Sequence, residues 1–336
     1  EIAQCLVGSE MCIRDRYKGV LMENLIFSLN ATIPIFLLMV FGYILQQVHF
    51  LDASFVKTLN SFNFKVTLPF LLFRDIASSD FSEVWDTRYV LFCFFATLFC
   101  IAFTWIITAC LSHRKDLVGE FVQASYRSSA AVLGIAFIQN IYGDAKMAPL
   151  MIIGTVPLYN VAAVIILSLT AEGNGGLSPA ALKKSLKGIL TNPIILGIAA
   201  GMIFSLLPIS MPVIAEKTVN NIAVLATPLA LIGLGAGFEG KKALAEIKPT
   251  LICSAMKLLL WPIIFLPIAA YMGFTSEKLV GILVMLGSPT TVSCYIMSKN
   301  MGHEGVLTSS VVVTTTFFSS VTLTLFLYLI KSLGLI

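Results

Sequence analysis

The sequence predicts an all-α membrane protein of ten transmembrane helices, arranged as two inverted five-helix repeats. Three observations predict it. Hydrophobic residues make up 57% of the 336 and charged residues only 12%, with a mean hydropathy of +0.92. The apolar residues fall in continuous runs long enough to cross a bilayer. Helix-breaking residues recur at one fixed offset between the two halves.

Composition alone excludes an ordinary soluble domain. Such domains carry roughly 25% charge, so about half of the polar skin is missing here and lipid is the better solvent. The net charge of +4 is spread over short loops rather than one face, which argues against a nucleic-acid surface.

The apolar runs, in chain order, are 26–45, 55–73, 90–111, 121–142, 147–169, 189–207, 213–238, 251–272, 279–297 and 306–330. At about 1.5 Å rise per residue, about twenty residues span a hydrocarbon core of roughly 30 Å. A barrel needs alternating segments of about ten residues, and these runs do not alternate. Backbone groups in lipid must be satisfied within the segment, so the runs become helices. The second, fourth, seventh and ninth are interrupted by Pro, Gly or a basic residue.

Residues 1–21 (EIAQCLVGSEMCIRDRYKGVL) are mixed and charged, without the apolar core of a signal peptide. They read as a non-native extension, with Met22 as the natural start. The first repeat is then 22–170 and the second 188–336. Between them lies 171–187 (AEGNGGLSPAALKKSLK), whose Gly, Ser and Pro mark a flexible connection.

The halves match at an offset of 159. Pro34 pairs with Pro193, Pro69 with Pro228, Gly42 with Gly201 and Gly143 with Gly302. An odd number of helices per repeat forces the second repeat to enter from the opposite side, the inverted plan of many secondary transporters. Loops after odd-numbered spans carry Lys57, Arg114, Lys115, Lys183, Lys184, Lys187, Lys241, Lys242, Lys248 and Lys299. The other side carries Arg74, Arg88, Lys146, Lys217, Lys278 and Lys331. By the positive-inside rule the linker is cytoplasmic and both termini are not.

Three basic residues, Lys65, Arg127 and Lys257, fall inside predicted spans, and no Asp or Glu sits at the centre of one. Uncompensated positive charge in a membrane interior favours an anionic ligand. Lys65 and Lys257 have the alternative of snorkelling to the interface. Arg127 lies about seven residues into its span and borders a polar cluster, Ser125–Ser129, followed by Gly134. The counterpart in the second half is Gly287-Ser288-Pro289-Thr290-Thr291. Pro289 lacks a backbone donor and clashes with the preceding turn, so the ninth span should break there. A break bares the N-terminus of the next half-helix, where the dipole favours anions. Arg127, Ser128, Ser129, Ser288, Pro289, Thr290 and Thr291 are therefore candidate substrate-binding residues. The alternative is a proline kink patched by hydroxyls.

Other patterns carry less. Five cysteines fall in or beside apolar runs and read as small buried hydrophobes. His49, His113 and His303 are scattered and make no zinc site, so neither a metal nor another cofactor is expected. Gly197 and Gly201 form a close-packing GxxxG. Gly233, Gly235 and Gly237 lack the strand that a nucleotide loop needs. No nucleophile–base pair is readable, so an enzyme is disfavoured.

Several stretches resemble the auxin efflux carrier family, in its prokaryotic branch. They are PIFLLMVFGYIL, FLDASFVKTLN and LPFLLFRDIAS in the first repeat, Asn192-Pro193 with ATPLALIGLG, PLYN (Pro157–Asn160), and SPTTVSCYIMSKNMG (Ser288–Gly302). The resemblance runs from about Met22 to the C-terminus. It implies ten helices in two inverted repeats, with the fourth and ninth broken and crossing near the substrate. It also implies that Tyr159 and Asn160 help to close the site. Plant members usually have a long central loop, so this short linker resembles the bacterial type. The sequence departs from many relatives in the fourth span, where Asn before the crossing and Pro after Gly are replaced by Ser128-Ser129-Ala130-Ala131 and Gly134-Ile135-Ala136.

The expected function is secondary active transport of a small mono- or dicarboxylate across the inner membrane, by alternating access. The coupling ion, proton or sodium, is left open, as is a homodimer. One alternative is a sodium symporter resembling bile acid carriers, against which the lack of a buried acid weighs. Another is a membrane sensor that binds a ligand without carrying it.

Overall fold

The computed structural model describes residues 26, 29–30, 32–77, 85–112, 114–130, 135–143, 147–171, 188, 190–207 and 211–336. The extension 1–21, nearly all of the linker, His113, Lys146 and positions 131–134 of the fourth run lie outside these described residues.

No strand occurs among the described residues, and each apolar run carries helix. α1 is Thr32–Gln47. α2 covers 53–77 and passes through a π-turn at Asn63–Thr67. α3 is Thr87–Leu111, α4 Val118–Tyr126, α5 Ile135–Tyr142 and α6 Ala148–Thr170. α7 is Pro193–Leu206, α8 Val213–Ala236 and α9, a short one, Gly240–Ala245. α10 is Ile247–Tyr271, α11 Ser276–Gly287, α12 Ser293–Asn300 and α13 Val306–Ser332. Of these, α3, α6, α8, α10 and α13 are long and apolar enough to cross a membrane.

Local chemistry sets the ends. Asp52 and Asp86 cap α2 and α3 by accepting from the N–H of Phe55 and Tyr89, and Asn192 caps α7, whose first residue is Pro193. Side chains at these positions satisfy donors that would otherwise be orphaned.

Packing is inside-out relative to a soluble protein. On α13, Phe317, Val321 and Leu325 are 63%, 58% and 49% exposed, whereas Thr315, Ser319 and Thr324 are 0%, 0% and 4%. Water would reverse that choice; lipid accounts for it. Inside, the buried hydroxyls donate to carbonyls one turn back, as Thr315 does to Val311 and Thr324 to Ser320.

The helices form two contact groups. In one, α2 packs along α7 and α8, and α1 lies against α8. In the other, α3, α4 and α6 pack together, and α10, α11 and α13 pack on one another and on them. Glycines allow close approach in the first group, among them Gly42, Gly197, Gly201 and Gly235. A Cβ on Gly201 of α7 would sit 3.0 Å from the Phe73 carbonyl oxygen of α2, and one on Gly42 of α1 would clash with the Ile232 carbonyl of α8.

α4 and α11 start at opposite ends of α13. Glu120, in the first turn of α4, accepts from Gly305 N–H at the start of α13 at 2.7 Å. The N–H of Ser276, at the start of α11, donates to the Leu335 carbonyl just past the end of α13 at 3.0 Å. The two short helices therefore run inward from opposite sides, and both stop midway.

Candidate functional site

Two main-chain breaks build the site. α4 stops at Tyr126, and Arg127 turns extended with φ −68° and ψ 139°. α11 stops at Gly287, and Ser288 turns extended with φ −72° and ψ 159°. At the second break Pro289 is the cause, as the sequence suggests. The first break forms without a proline: the Ser129 N–H leaves the helix and donates to the Pro289 carbonyl at 3.1 Å. Main chain meets main chain where the two segments cross.

Stopping a helix inside a membrane leaves carbonyls that need donors. Thr290 Oγ1 donates to the Ala124 carbonyl at 2.8 Å, which restores an acceptor lost at the end of α4. Ser128 Oγ donates to the Val284 carbonyl at 3.1 Å and lies against the Ser288 hydroxyl. Tyr159 on α6 donates to the Met285 carbonyl at 3.2 Å and is held from behind, as the Tyr126 hydroxyl donates to its own carbonyl at 3.1 Å.

Arg127 lies at this crossing, 2% exposed. One terminal nitrogen donates to Asn160 Oδ1 at 2.7 Å and Ser293 Oγ at 2.8 Å, and the other contacts Met297 Sδ at 2.6 Å. Its Nε has no partner, and no carboxylate among the described residues pairs with it. Asn160 is oriented for its role: its amide nitrogen donates to the Val156 carbonyl at 2.8 Å, which points its oxygen at the guanidinium.

A cavity of about 90 Å³ opens here. Its polar lining is Arg127, Ser128, Ser129, Tyr159, Asn160, Thr290, Thr291 and Ser293, with Pro289 between, joined by Asp75, Thr227 and Thr316. Its apolar lining comes from both contact groups and includes Ile35, Leu68, Leu72, Ile194 and Leu231 from one and Val156 and Val312 from the other. The structure thus brings eight of the nine candidate residues to one cavity; Ser288 is fully buried just behind it against Ser128. The candidates divide by what their donors do. Ser128 and Thr290 are spent on carbonyls, whereas Ser129 and Thr291 line the cavity half-buried, with the Thr291 hydroxyl 3.3 Å from that of Ser293. The N–H groups of Thr291 and Val292, at the start of α12, have no acceptor among the described residues.

Three expectations change. Lys257 does not snorkel: it is 0% exposed, and its Nζ donates to the Leu286 and Met285 carbonyls at 2.6 and 3.3 Å. Lys65, by contrast, is exposed on the π-turn and fits the snorkelling alternative. A buried acid does exist. Glu120 is 1% exposed, one residue before the run that begins at 121, and its carboxylate takes the N–H groups of Gly305 and Thr308 and the Thr308 hydroxyl. Asp75 also reaches the cavity wall, ion-paired to Arg74 at 2.7 Å. Sequence reasoning missed Ser293 and Asp75. Ser293 was findable one helical step beyond Thr290, while Asp75 was hidden by its neighbouring arginine in a span counted as a loop charge.

A cationic crossing of broken helices inside an inside-out bundle defines a membrane transport protein. A family model described as membrane transport protein matches residues 27–327. The chain belongs to this family, the auxin efflux carrier family that its motifs resemble. It is 23% identical over 313 residues to a Rhizobium meliloti (strain 1021) protein named "Putative malonate transporter", covering 90% of this chain and 96% of that one. A shorter similarity, 25% over 123 residues, links it to the "UPF0177 protein in abiGi 5'region" of Lactococcus lactis subsp. cremoris, covering 30% of this chain and 53% of that one.

Proposed function

We propose that this transporter carries a small carboxylate, of the size of a short dicarboxylate, by alternating access at the crossing of the two broken spans. One observation carries the reading: the buried Arg127 guanidinium, with an unpartnered Nε and no ion-pair partner among the described residues, faces a cavity lined largely by hydroxyls. A buried charge is costly unless paired, so the site favours a ligand that supplies the missing negative charge. The cavity of about 90 Å³ is far below the roughly 300–1,000 Å³ of drug-sized sites, which suits a ligand of few atoms. The name of the Rhizobium relative points the same way.

In this reading Arg127, Ser129, Thr291 and the bare N–H groups of α12 meet the carboxylate. Ser128, Ser288 and Thr290 hold the crossing together, and Tyr159 and Asn160 orient its parts. The side of the cavity formed by α1, α2, α7 and α8 is the surface past which the crossing moves. The site thereby opens to one side and then the other.

The inverted ten-span plan belongs to the same proposal and has three supports. Shifted by 159 residues, α3 becomes 246–270 against the observed Ile247–Tyr271, and α2 becomes 212–236 against Val213–Ala236. The contact of Gly42 with Ile232 shifts onto that of Gly201 with Phe73, because 73 and 232 also differ by 159. α4 and α11 enter from opposite ends of α13. We place the protein in the inner membrane with a cytoplasmic linker and both termini outside. Glu120 does not favour a sodium site, since its oxygens are occupied by the start of α13.

Counterflow of labelled malonate into proteoliposomes preloaded with unlabelled malonate tests the reading. Accumulation above equilibrium, inhibited by other short carboxylates, is expected. Binding without counterflow would make the protein a sensor, and no binding of any mono- or dicarboxylate would end the proposal.

A further inference from the structure

Lys257 and Trp261 take no part in the function as described so far, yet both are buried at the crossing, at 0% and 1% exposure. They lie four residues apart on α10 and so share one face of it. Each reaches the end of a different half-helix. Lys257 Nζ donates to the Leu286 and Met285 carbonyls in the last turn of α11. Trp261 Nε1 donates to the Ser125 carbonyl in the last turn of α4 at 2.9 Å. A single helix, which passes through a π-turn at Met256–Leu260, therefore braces both ends, one turn apart.

The two braces differ in charge. The ends of α4 and α11 are negative poles aimed at the crossing, and they oppose an anion there. At α4 the chain itself supplies the compensation, because Arg127 follows its last residue. At α11 the next residues are Ser288 and Pro289, which supply none. Lys257 is the cation at that end, and no carboxylate among the described residues offsets it.

We propose that Lys257 is a positioning residue whose charge cancels the negative end of α11 and so sets the preference of the site for dianions over monoanions. Trp261 is its uncharged counterpart, holding α4 by a hydrogen bond alone. This rests on the carboxylate reading above, and it acts through α11 rather than by touching the substrate.

Affinities of the purified full chain for malonate and acetate at pH 6.5 and low salt, by isothermal titration calorimetry, test it. A field effect scales with ligand charge. Lys257→Gln keeps a donor for the Leu286 carbonyl while losing the charge. It should weaken malonate about tenfold, near the upper range for a charge at a buried helix end, and acetate only about threefold. Lys257→Arg should restore the ratio between the two. Trp261→Phe, which removes only the N–H, should weaken both alike. Equal factors for malonate and acetate in Lys257→Gln, with binding by the unaltered protein intact, would overturn the proposal and leave the carboxylate reading standing. Absence of binding by the unaltered protein would remove both. Should Lys257→Gln not fold, Lys257→Met gives the same comparison.

Discussion

The N–H of Ser129 donates to the carbonyl of Pro289 at 3.1 Å, so the two interrupted spans are joined backbone to backbone. That bond exists only because both segments have left the helix. Pro289→Ala gives the second segment back its donor and removes the ring clash. Transport should fall at least about tenfold, while membrane insertion and yield stay near normal. Counterflow alongside quantified insertion checks this, and full activity in the alanine variant would detach function from the break.

Arg127 supplies the uncompensated charge of the cavity. A unit charge about 4 Å from a carboxylate contributes up to roughly 4 kcal/mol at an effective dielectric near 20. Arg127→Gln should raise the malonate Kd by two orders of magnitude or more, beyond the loss in Lys257→Gln. Removing the buried cation also relieves a desolvation cost, so the thermal midpoint should hold or rise. Unchanged affinity would reassign the residue to structure.

Hydroxyls facing the cavity and hydroxyls spent on carbonyls should separate by experiment. Ser129→Ala is expected to weaken binding with little change in thermal midpoint. Thr290→Val leaves the Ala124 carbonyl without its donor, at a cost of about 1–3 kcal/mol, and should lower the midpoint. Paired thermal-shift and affinity measurements decide, and the reverse pattern would exchange the two roles.

Asp86 ties the start of α3 to that of α11 through Lys278 at 2.5 Å. The hydrogen bond from Lys278 holds its carboxyl below the ordinary 3.8. Because the folded value is the depressed one, the contribution is complete above 3.8 and fades as pH falls through the folded value. Both partners are part-exposed, so the pair is worth no more than about 1 kcal/mol. Thermal melts from pH 6 to pH 3 should show a loss in the native protein that is reduced in Lys278→Met. Identical slopes would mean the pair contributes nothing.

Reporter fusions test the orientation. A reporter after Ile336 should be active only outside the cytoplasm, and one inserted within 171–187 only inside it. A cytoplasmic C-terminus would reverse the assignment from loop charge.

Much of this architecture was legible because lipid reads sequence coarsely. Runs of apolar residues became helices with ends within a few residues of expectation, since nothing else satisfies a backbone there. The break at Pro289 was legible for the same reason, as proline removes a donor whatever surrounds it. The break in the fourth span was implied by the family resemblance but not by local chemistry, because no proline marks it and the bond that meets the freed Ser129 N–H comes from a segment 160 residues away. Lys257 stayed open between a functional cation and a snorkelling side chain: a lysine inside a span has the same local sequence whether it points to the interface or to the carbonyls of a neighbour. Glu120 was missed by one position, which shows how little the edge of an apolar run says about depth.

The glycine contacts of Gly42 and Gly201 bear on a different question, which way the molecule is leaning. Under the proposed two-fold relationship these contacts are mates, and in a carrier poised halfway between its two faces they would be equally tight. They are unequal: a Cβ placed on Gly42 would meet the Ile232 carbonyl much more tightly than one on Gly201 would meet the Phe73 carbonyl, at 3.0 Å. That inequality is a built-in gauge of asymmetry, sensitive to conformation and remote from the ligand.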